Sequence, residues 1–490
     1  MNVRTCLGLT LTGLLWLPAA GLAAQAGVQA GVRAGVQTRS CHLPGSEETL
    51  RCVSVPVALD HAQAGGAQLA LHVTVAPAFR ESALSDPLFV LAGGPGEAGS
   101  DVLALLSNTF RRTRATRDIV FIDQRGTGLS GKLDCETRPA QQAMTEDQLE
   151  REIHACIAGL RVDGRRVNYA AYTTANAARD IEQVRLALGY GKINLWGGSY
   201  GTRLAQVYAR AFPGPLRALV LDGVAAPDQV IPAGGRDSQA ALEALFRQCA
   251  FDPSCQRAFP AVRAEFNALI ATIATGKVKV EIADPRTAEP MQLAMTSARF
   301  LGTVHSILYS PSDSRRLPFL IHSAAQGRWE PFVARRNVAA DFSAAGANAL
   351  ILHLAVICAE DFPRLTPALR AEDASPLTAP MLARLPALCQ AMNVPPVPLA
   401  APATITAPVL MLSGALDPVT PPRRAQAAGN YMTNARNLVV ANAGHGISQL
   451  GCAPRLLREF LDRPTEPLKA DCLKDIPVPG FQLGSAGPQP

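Results

Sequence analysis

The sequence contains 490 residues, of which 48% are hydrophobic and 18% are charged, an ordinary globular composition with ample length for a large core. The formal net charge of +6 is small for this length, and no run of Lys or Arg is dense enough to predict a nucleic-acid partner. We therefore expect two or three domains, or one large α/β domain with an insertion, and no binding of nucleic acid.

The first residues have the pattern of an export signal. Arg4 gives a positive start, Leu7–Leu17 is apolar, and Gly21–Ala24 offers small residues for cleavage. The apolar stretch is too short to cross a bilayer comfortably, and no later segment reads as a membrane span. We expect residues 1–24 to be a signal peptide, an uncleaved anchor being the alternative, and the protein to be periplasmic or extracellular without a stable membrane anchor. Residues 25–40, which include AGVQAGVRAGV, are expected to form a flexible linker.

The cysteines fit an exported protein. Setting aside Cys6, which precedes the apolar stretch, leaves an even number, and even numbers in exported chains indicate disulfides. There is no C-x-x-C motif or Cys/His cluster, so no metal is expected, and a bridged sulfur cannot be a nucleophile. Pairing neighbours in chain order predicts five disulfides: Cys41–Cys52, Cys135–Cys156, Cys249–Cys255, Cys358–Cys389 and Cys452–Cys472.

Apolar strands alternate with helical patterns up to residue 225 and again after about residue 404. The strands are PLFVLAGGPG, DIVFIDQRGTG, INLWG and LRALVLDGV, and later APVLMLSGALD and RNLVVANAGHG. The stretch TTANAARDIEQVRLALG predicts a helix that Thr173 or Thr174 caps. Strands that are apolar throughout and separated by helices predict an α/β fold, with a mostly parallel sheet covered on both faces.

The middle of the chain breaks this alternation. Residues 226–400 are richer in helical patterns, such as SQAALEALFRQCAF, and contain one hairpin pattern, KVKVEIADP…MQLAM. We interpret them as a mainly helical cap inserted into a sheet domain whose two parts are residues 41–225 and 401–475. The Pro- and Gly-rich residues 476–490 are expected to form a loose tail.

A serine lies between glycines in Gly197-Gly198-Ser199-Tyr200-Gly201, where a predicted strand ends and a predicted helix begins. This arrangement is typical of a nucleophile elbow, in which the chain reverses sharply at the serine. Glycine is needed two residues before and after the serine, because a Cβ there would clash with the crowded backbone. A tight structural turn is the alternative interpretation.

A serine nucleophile needs a base, and the base needs a group that orients it. In this architecture the acid follows the serine in the chain and the histidine comes last, each on a loop after a strand. Asp417 follows the strand APVLML, and His445 follows the strand RNLVV. We therefore predict a catalytic triad of Ser199, Asp417 and His445, against the alternatives of a turn aspartate and a surface histidine.

The tetrahedral intermediate of acyl transfer needs two positioned N–H donors. The N–H of Tyr200, directly after the serine, is one candidate. The other is expected in the glycine loop AGGPGEAGS, where Gly94 is preferred over Gly93, and Pro95 has no N–H to give. A phosphate-binding loop is disfavoured because no Gly-Lys-Ser/Thr follows.

With these residues in view, the chain resembles secreted α/β-hydrolase peptidases of the prolyl/tripeptidyl aminopeptidase (TAP-like) family. The resemblance is carried by seven motifs: GGPG at 93–96, DQRGTGLS at 123–130, GGSYGT at 197–202, VLDGV at 220–224, CAEDFP at 358–363, GALDPVTPP at 414–422 and GHG at 444–446. They span about residues 85–450. Ala92 stands where prolyl aminopeptidases often carry His, which favours the tripeptidyl type.

The resemblance implies an α/β-hydrolase fold and peptide hydrolysis near a free N-terminus, with no metal or organic cofactor. An aminopeptidase must also bind an ammonium group, for which a partly desolvated carboxylate is suited. The candidates are Glu360, Asp361 and Glu97. Two alternatives remain: a carboxylesterase acting on a small ester with the same triad, and a non-catalytic binding protein on this fold.

Overall fold

A computed structural model of the protein describes residues 36–487, apart from residues 45, 64, 137, 163, 284–286, 342–348 and 400. The predicted signal peptide and residues 25–35 of the predicted linker lie outside the described residues. The predicted flexible linker is wrong for residues 37–40. They belong to the strand Gln37–Cys41, which pairs antiparallel with the next strand and is tied to it by the Cys41–Cys52 disulfide.

The strands, numbered along the chain, are β1 Gln37–Cys41, β2 Leu50–Ala58, β3 Gln68–Ala76, β4 Leu88–Leu91, β5 Ile119–Ile122, β6 Arg161–Val162, β7 Arg165–Arg166, β8 Ile193–Gly198, β9 Leu216–Asp222, β10 Lys279–Ala283, β11 Pro290–Ala294, β12 Val409–Gly414 and β13 Ala435–Val440. Nine of them form one sheet in the order β1-β2-β3-β5-β4-β8-β9-β12-β13. From β5 to β13 all neighbours are parallel, whereas β1, β2 and β3 extend the sheet antiparallel.

The α-helices are α1 Arg111–Arg114, α2 Glu146–Gly159, α3 Thr174–Ala187, α4 Tyr200–Ala211, α5 Gly235–Phe251, α6 Pro253–Ala258, α7 Val262–Ala274, α8 Ser297–Ile307, α9 Pro311–Ser314, α10 Leu317–Ala325, α11 Glu330–Asp341, α12 Leu350–Val356, α13 Pro367–Glu372, α14 Ala379–Met392, α15 Pro422–Gly429 and α16 Ala453–Asp462. Shorter turns are the 3-10 helices Gly99–Leu106, Pro139–Ala143, Tyr169–Ala171, Phe362–Arg364 and Asp471–Asp475, and the π-helix Ile357–Asp361.

Helices cover both faces of the sheet. On one face, α3, α4 and α15 pack their apolar side chains onto the strands, and on the other face α16 and the 3-10 helix Gly99–Leu106 do so. The central strands β4, β5 and β12 are buried along their whole length, because side chains on both faces meet a layer of helices. The predicted α/β-hydrolase fold class is therefore confirmed.

A long, mainly helical segment separates β9 from β12, and we refer to residues 223–408 as the inserted segment. It contains helices α5 to α14 and the β10–β11 hairpin, whose pattern the sequence displays. Much of it packs around a hydrophobic core of its own, to which α5, α7, α8 and α10 contribute. This arrangement agrees with an insertion in the sheet domain, while the boundaries at 226 and 400 remain predictions.

The predicted loose tail is wrong for residues 476–487. Phe481 is only 3% exposed and packs into the core of the inserted segment. The guanidinium group of Arg315 lies 4.1 Å from the centre of the Phe481 ring, and the N–H of Gln482 donates to the Arg315 carbonyl at 3.1 Å. One buried aromatic side chain thus fixes a segment whose composition alone indicates flexibility.

Five disulfides join Cys41 to Cys52, Cys135 to Cys156, Cys249 to Cys255, Cys358 to Cys389, and Cys452 to Cys472, the same pairs that chain order suggests. Each closes a short loop, with a sequence separation of 6 residues in the shortest case and 31 in the longest. Within the described ranges, no helix is long and apolar enough to cross a membrane.

Candidate active site

The chain turns sharply at Ser199, between the end of β8 and the start of α4. Ser199 has φ 53° and ψ −121°, a conformation that non-glycine residues rarely adopt and that costs conformational energy. A Cβ built at Gly197 would lie 2.4 Å from the Gly201 carbonyl oxygen, and one built at Gly201 would lie 2.1 Å from the Leu91 carbonyl oxygen. Both glycines are therefore required sterically, as in a nucleophile elbow.

Asp417 and His445 meet on the loops that follow β12 and β13. The Nδ1–H of His445 donates to Asp417 Oδ2 at 2.8 Å, and Asp417 Oδ1 accepts the N–H groups of Val419 and Thr420, each at 2.8 Å. Burial alone would raise the pKa of Asp417, but the charge of His445 and these hydrogen bonds outweigh it and lower that pKa. Likewise, burial would lower the pKa of His445, but Asp417 outweighs it and raises that pKa.

Thr420 completes this pair, although it is not among the residues predicted from the sequence. Its hydroxyl donates to Asp417 Oδ2 at 2.7 Å, and the same hydroxyl oxygen lies 3.1 Å from His445 Nδ1. The available signal was the spacing Asp-Pro-Val-Thr, because an aspartate often accepts hydrogen bonds from residues two and three positions later. Thr420 therefore helps to fix the Asp417 carboxylate against the imidazole.

Ser199 and His445 are brought to the same edge of the sheet by Asp222, the last residue of β9. The Asp222 carbonyl accepts the N–H of Ser199 at 2.9 Å, and its carboxylate accepts the N–H groups of Ile447 and Ser448 at 2.7 and 2.8 Å. No hydrogen bond between the Ser199 hydroxyl and His445 is formed among the described residues. Burial raises the pKa of Asp222, although the hydrogen bonds from Ser448 and Ile447 oppose it.

The two predicted oxyanion donors, the N–H groups of Tyr200 and Gly94, donate to no other group in the described part of the chain. The N–H of Gly93 is already used, because it donates to Glu97 Oε2 at 2.9 Å. The glycine loop closely approaches the candidate nucleophile, since a Cβ built at Gly93 would lie 3.1 Å from Ser199 Cβ. The N–H of Gly94, on the residue that follows Gly93, is thus not engaged by another group of the described residues.

Glu97 is the predicted substrate-binding carboxylate that the structure brings to this site. It is half-buried on the loop after β4. Burial raises the pKa of Glu97, while the hydrogen bond from the Gly93 N–H and the charge of His445 oppose the rise. A Cβ built at Gly93 would lie 3.3 Å from Glu97 Oε2, so the carboxylate lies close to the glycine loop beside Ser199.

Glu360 makes no hydrogen bond or ion pair with Ser199 among the described residues. Its carboxylate oxygens accept the N–H and the hydroxyl of Thr174, each at 2.6 Å, and the Thr174 hydroxyl also bonds the Tyr200 hydroxyl at 2.8 Å. This use of Thr174 leaves Thr173 as the residue that caps α3, where it accepts the N–H of Asn176. Glu360 lines a cavity of about 400 Å³ along α4, and the triad residues are not among those lining it.

Asp361 is a structural carboxylate, so its predicted contact with substrate is wrong. It is completely buried, and Arg203 donates to it twice, at 2.9 and 3.1 Å. Arg364 donates to the same carboxylate at 2.9 Å, and the N–H of Ile231 does so at 3.2 Å. Because both oxygens are occupied and no surface is exposed, a substrate cannot reach this group.

Two aromatic side chains of the inserted segment, neither of them predicted from the sequence, lie near the candidate base. The Tyr309 ring meets the His445 ring edge-on at 5.1 Å, and the Tyr309 carbonyl accepts the His445 backbone N–H at 2.7 Å. The His305 ring lies 5.4 Å from that of Tyr309. Burial, with a smaller contribution from His445, lowers the pKa of His305 to about 4, so His305 stays neutral near pH 7. Across the described residues, no cluster of His, Cys, Asp or Glu is arranged to hold a metal.

Comparison with known proteins gives matches in two parts of the chain. Residues 86–258 match the α/β hydrolase fold family, and residues 375–472 match a family described as TAP-like protein. The serine protease Hip1 of Mycobacterium tuberculosis is 30% identical over 281 residues, which cover 53% of this chain and 53% of that protein. The tripeptidyl aminopeptidase of Streptomyces lividans is 29% identical over 245 residues, covering 47% and 44%. Carboxylesterase B of M. tuberculosis is 31% identical over 316 residues, covering 60% and 58%.

The nine-stranded sheet, the elbow after β8 and the match over residues 86–258 define an α/β hydrolase. Within that class, residues 375–472 are similar to the TAP-like family. The chain spans 53%, 44% and 58% of the length of the three relatives, so their activities are not transferred to it by similarity alone.

Proposed function

We propose that this protein is an exported serine hydrolase that cleaves peptide bonds near a free N-terminus. One observation carries the proposal: the strained Ser199 elbow and the His445–Asp417 pair lie at the same edge of the sheet, held by Asp222. A purely structural turn would not require a serine in a strained conformation, and a surface histidine would not require a buried carboxylate partner.

The chemistry follows from these groups. Ser199 Oγ attacks the carbonyl carbon while His445 Nε2 takes its proton, and Asp417 stabilises the imidazolium that forms. The N–H groups of Tyr200 and Gly94 stabilise the oxyanion. His445 then gives the proton to the leaving amine as the C–N bond breaks, and a water molecule, activated by His445, hydrolyses the acyl-enzyme. No step requires a metal or an organic cofactor.

Two relatives support a peptide substrate, since they are named a serine protease and a tripeptidyl aminopeptidase. A free N-terminus is supported by Glu97, whose carboxylate lies beside the elbow and provides a partner for an ammonium group. The five disulfides support export to an oxidising compartment, the periplasm or the medium.

A carboxylesterase is the second candidate, because the same triad cleaves esters and a similar protein bears that name. The decisive experiment measures kcat/KM on peptide anilides with a free or acetylated N-terminus and on a short-chain nitrophenyl ester. Cleavage of free-amine peptides with a loss of about tenfold or more on acetylation, equivalent to about 1.4 kcal/mol, supports the proposal. Turnover of the ester alone favours the esterase.

The Ser199→Ala variant is the control for both activities. It keeps the fold and removes the nucleophile, so all turnover should fall to background. If Ser199 is not labelled by a fluorophosphonate and neither substrate class is turned over, the protein is a binding protein on this fold.

A further inference from the structure

Glu97 and Ser199 both lie close to Gly93. A Cβ built at Gly93 would lie 3.1 Å from Ser199 Cβ and 3.3 Å from Glu97 Oε2. The separation of the Ser199 Cβ from that carboxylate oxygen therefore cannot exceed the sum of these two distances. The carboxylate consequently stands about one amino acid residue away from the nucleophile.

The Glu97 carboxylate is held in place but retains an unused oxygen. Its Oε2 accepts the N–H of Gly93 at 2.9 Å, which fixes the side chain against the loop. No other hydrogen bond or ion pair to the Glu97 carboxylate is present among the described residues, and the side chain is half-buried, not sealed off. Such a carboxylate can accept an N–H from a substrate and gains strongly from a cationic partner, because little water screens it.

Peptide geometry then limits the length of the unit between the two groups. In an amino acid, the α-nitrogen lies only about 2.5 Å from the carbonyl carbon of the same residue, whereas each further residue of an extended chain adds about 3.5 Å. The ammonium group of a single residue on Ser199 can therefore reach Glu97. The ammonium group of a tripeptide would lie about 7 Å further away.

We propose that Glu97 binds the α-ammonium group of the first residue and thereby restricts the acyl unit to a single amino acid. This inference rests on the proposed function. It predicts a unit shorter than the one stated in the name of the tripeptidyl aminopeptidase relative. In this proposal Glu97 contacts the substrate directly and sets a preference for the length of the acyl unit that Ser199 accepts.

The test compares the wild-type protein with Glu97→Gln on aminoacyl, dipeptidyl and tripeptidyl anilides, each with a free or acetylated amine, and on a nitrophenyl ester. Glutamine keeps an oxygen for the Gly93 N–H and removes the charge. The wild type should prefer the free aminoacyl anilide, and Glu97→Gln should lower kcat/KM on it about tenfold or more while the ester changes less than about twofold. Asp101→Asn is the matched control, because Asp101 is on the same segment and accepts the N–H of Ala98. That variant should keep the preference for a free amine.

The outcomes separate this inference from the proposed function. A wild-type preference for the tripeptidyl anilide overturns the length limit and leaves the peptidase proposal standing. If Glu97→Gln lowers kcat/KM equally on the free-amine substrates, the acetylated substrates and the ester, Glu97 only supports the glycine loop. This result also overturns the inference. Ester turnover without any peptide cleavage overturns both proposals.

Discussion

Asp222 accepts the N–H of Ser199 through its carbonyl oxygen, at 2.9 Å, while its carboxylate holds the loop that carries His445. One residue at the end of β9 thus sets the position of the candidate nucleophile relative to the candidate base. A Cβ built at the next residue, Gly223, would lie 2.9 Å from His445 Cε1, so the two loops leave no room for a side chain there. The geometry of the site depends on this strand end.

Replacing Asp222 with Asn should therefore impair both folding and catalysis. The amide has a single acceptor oxygen, so one of the two buried N–H groups, of Ile447 or Ser448, would lose its partner, at a cost of about 1–3 kcal/mol. We expect a lower Tm in thermal unfolding and a lower kcat on the ester. Asp228→Asn is the control, since that aspartate is exposed on the following loop. Equal Tm and kcat for Asp222→Asn and the wild type would contradict the prediction.

Replacing Thr420 with Val should lower kcat about tenfold with little change in KM. The hydroxyl donates to Asp417 Oδ2 at 2.7 Å, and a hydrogen bond to a charged group contributes about 1.5 kcal/mol or more, a tenfold effect when it stabilises the transition state. Thr420→Ser keeps the donor and should retain most of the activity. If Val and Ser behave alike under steady-state conditions, the hydroxyl has no such effect.

Activity on the ester should fall as the pH decreases, with a midpoint above 6.5, the ordinary pKa of histidine. The neighbouring Asp417 raises the pKa of His445, and only neutral His445 can take the proton from Ser199, so activity appears as the pH rises through that pKa. The ester has no amine, so ionisation of Glu97 acts on its hydrolysis only through the smaller contribution of Glu97 to the pKa of His445. Asp417→Asn should move the midpoint of the kcat/KM profile to lower pH and reduce its plateau. A wild-type midpoint below that of ordinary histidine would count against the assignment.

Replacing Phe481 with Ala should destabilise the protein by about 3 kcal/mol, because the side chain is buried in the core of the inserted segment and its removal leaves a cavity. Chemical denaturation at fixed pH measures the change. The matched variant Val478→Ala, at a position that is 54% exposed, should change stability by less than about 0.5 kcal/mol. Similar unfolding curves for the two variants would mean that the tail adds nothing to the packing.

The features that could be predicted from the sequence are those that local patterns determine. Strands such as Val409–Gly414 are apolar throughout because both faces are buried, and the glycines around Ser199 are required by close backbone approaches. The loops after β12 and β13 could be located for the same reason, since each follows a recognisable strand. Local patterns alone are therefore sufficient to predict the elbow and its two candidate partners.

The remaining features depend on contacts between distant parts of the chain. In the sequence, Asp361 resembles a substrate-binding acid. In the folded protein its carboxylate pairs with Arg203, which is 158 residues away in the chain. Tyr309 and Phe481 lie in segments with no motif, and only packing brings them to His445 and Arg315. The composition of the C-terminal segment does not show whether a buried side chain such as Phe481 fixes it to the core.

The inserted segment also determines when the site can assemble during synthesis. Strand β12 pairs with β9 in the register Val409 to Leu219, although the whole inserted segment lies between them in the chain. A nascent chain that ends before Val409 already contains Ser199 but has neither Asp417 nor His445. The serine is thus made long before its proposed base, and hydrolytic competence is acquired only when the last part of the chain has been synthesised and has joined the sheet.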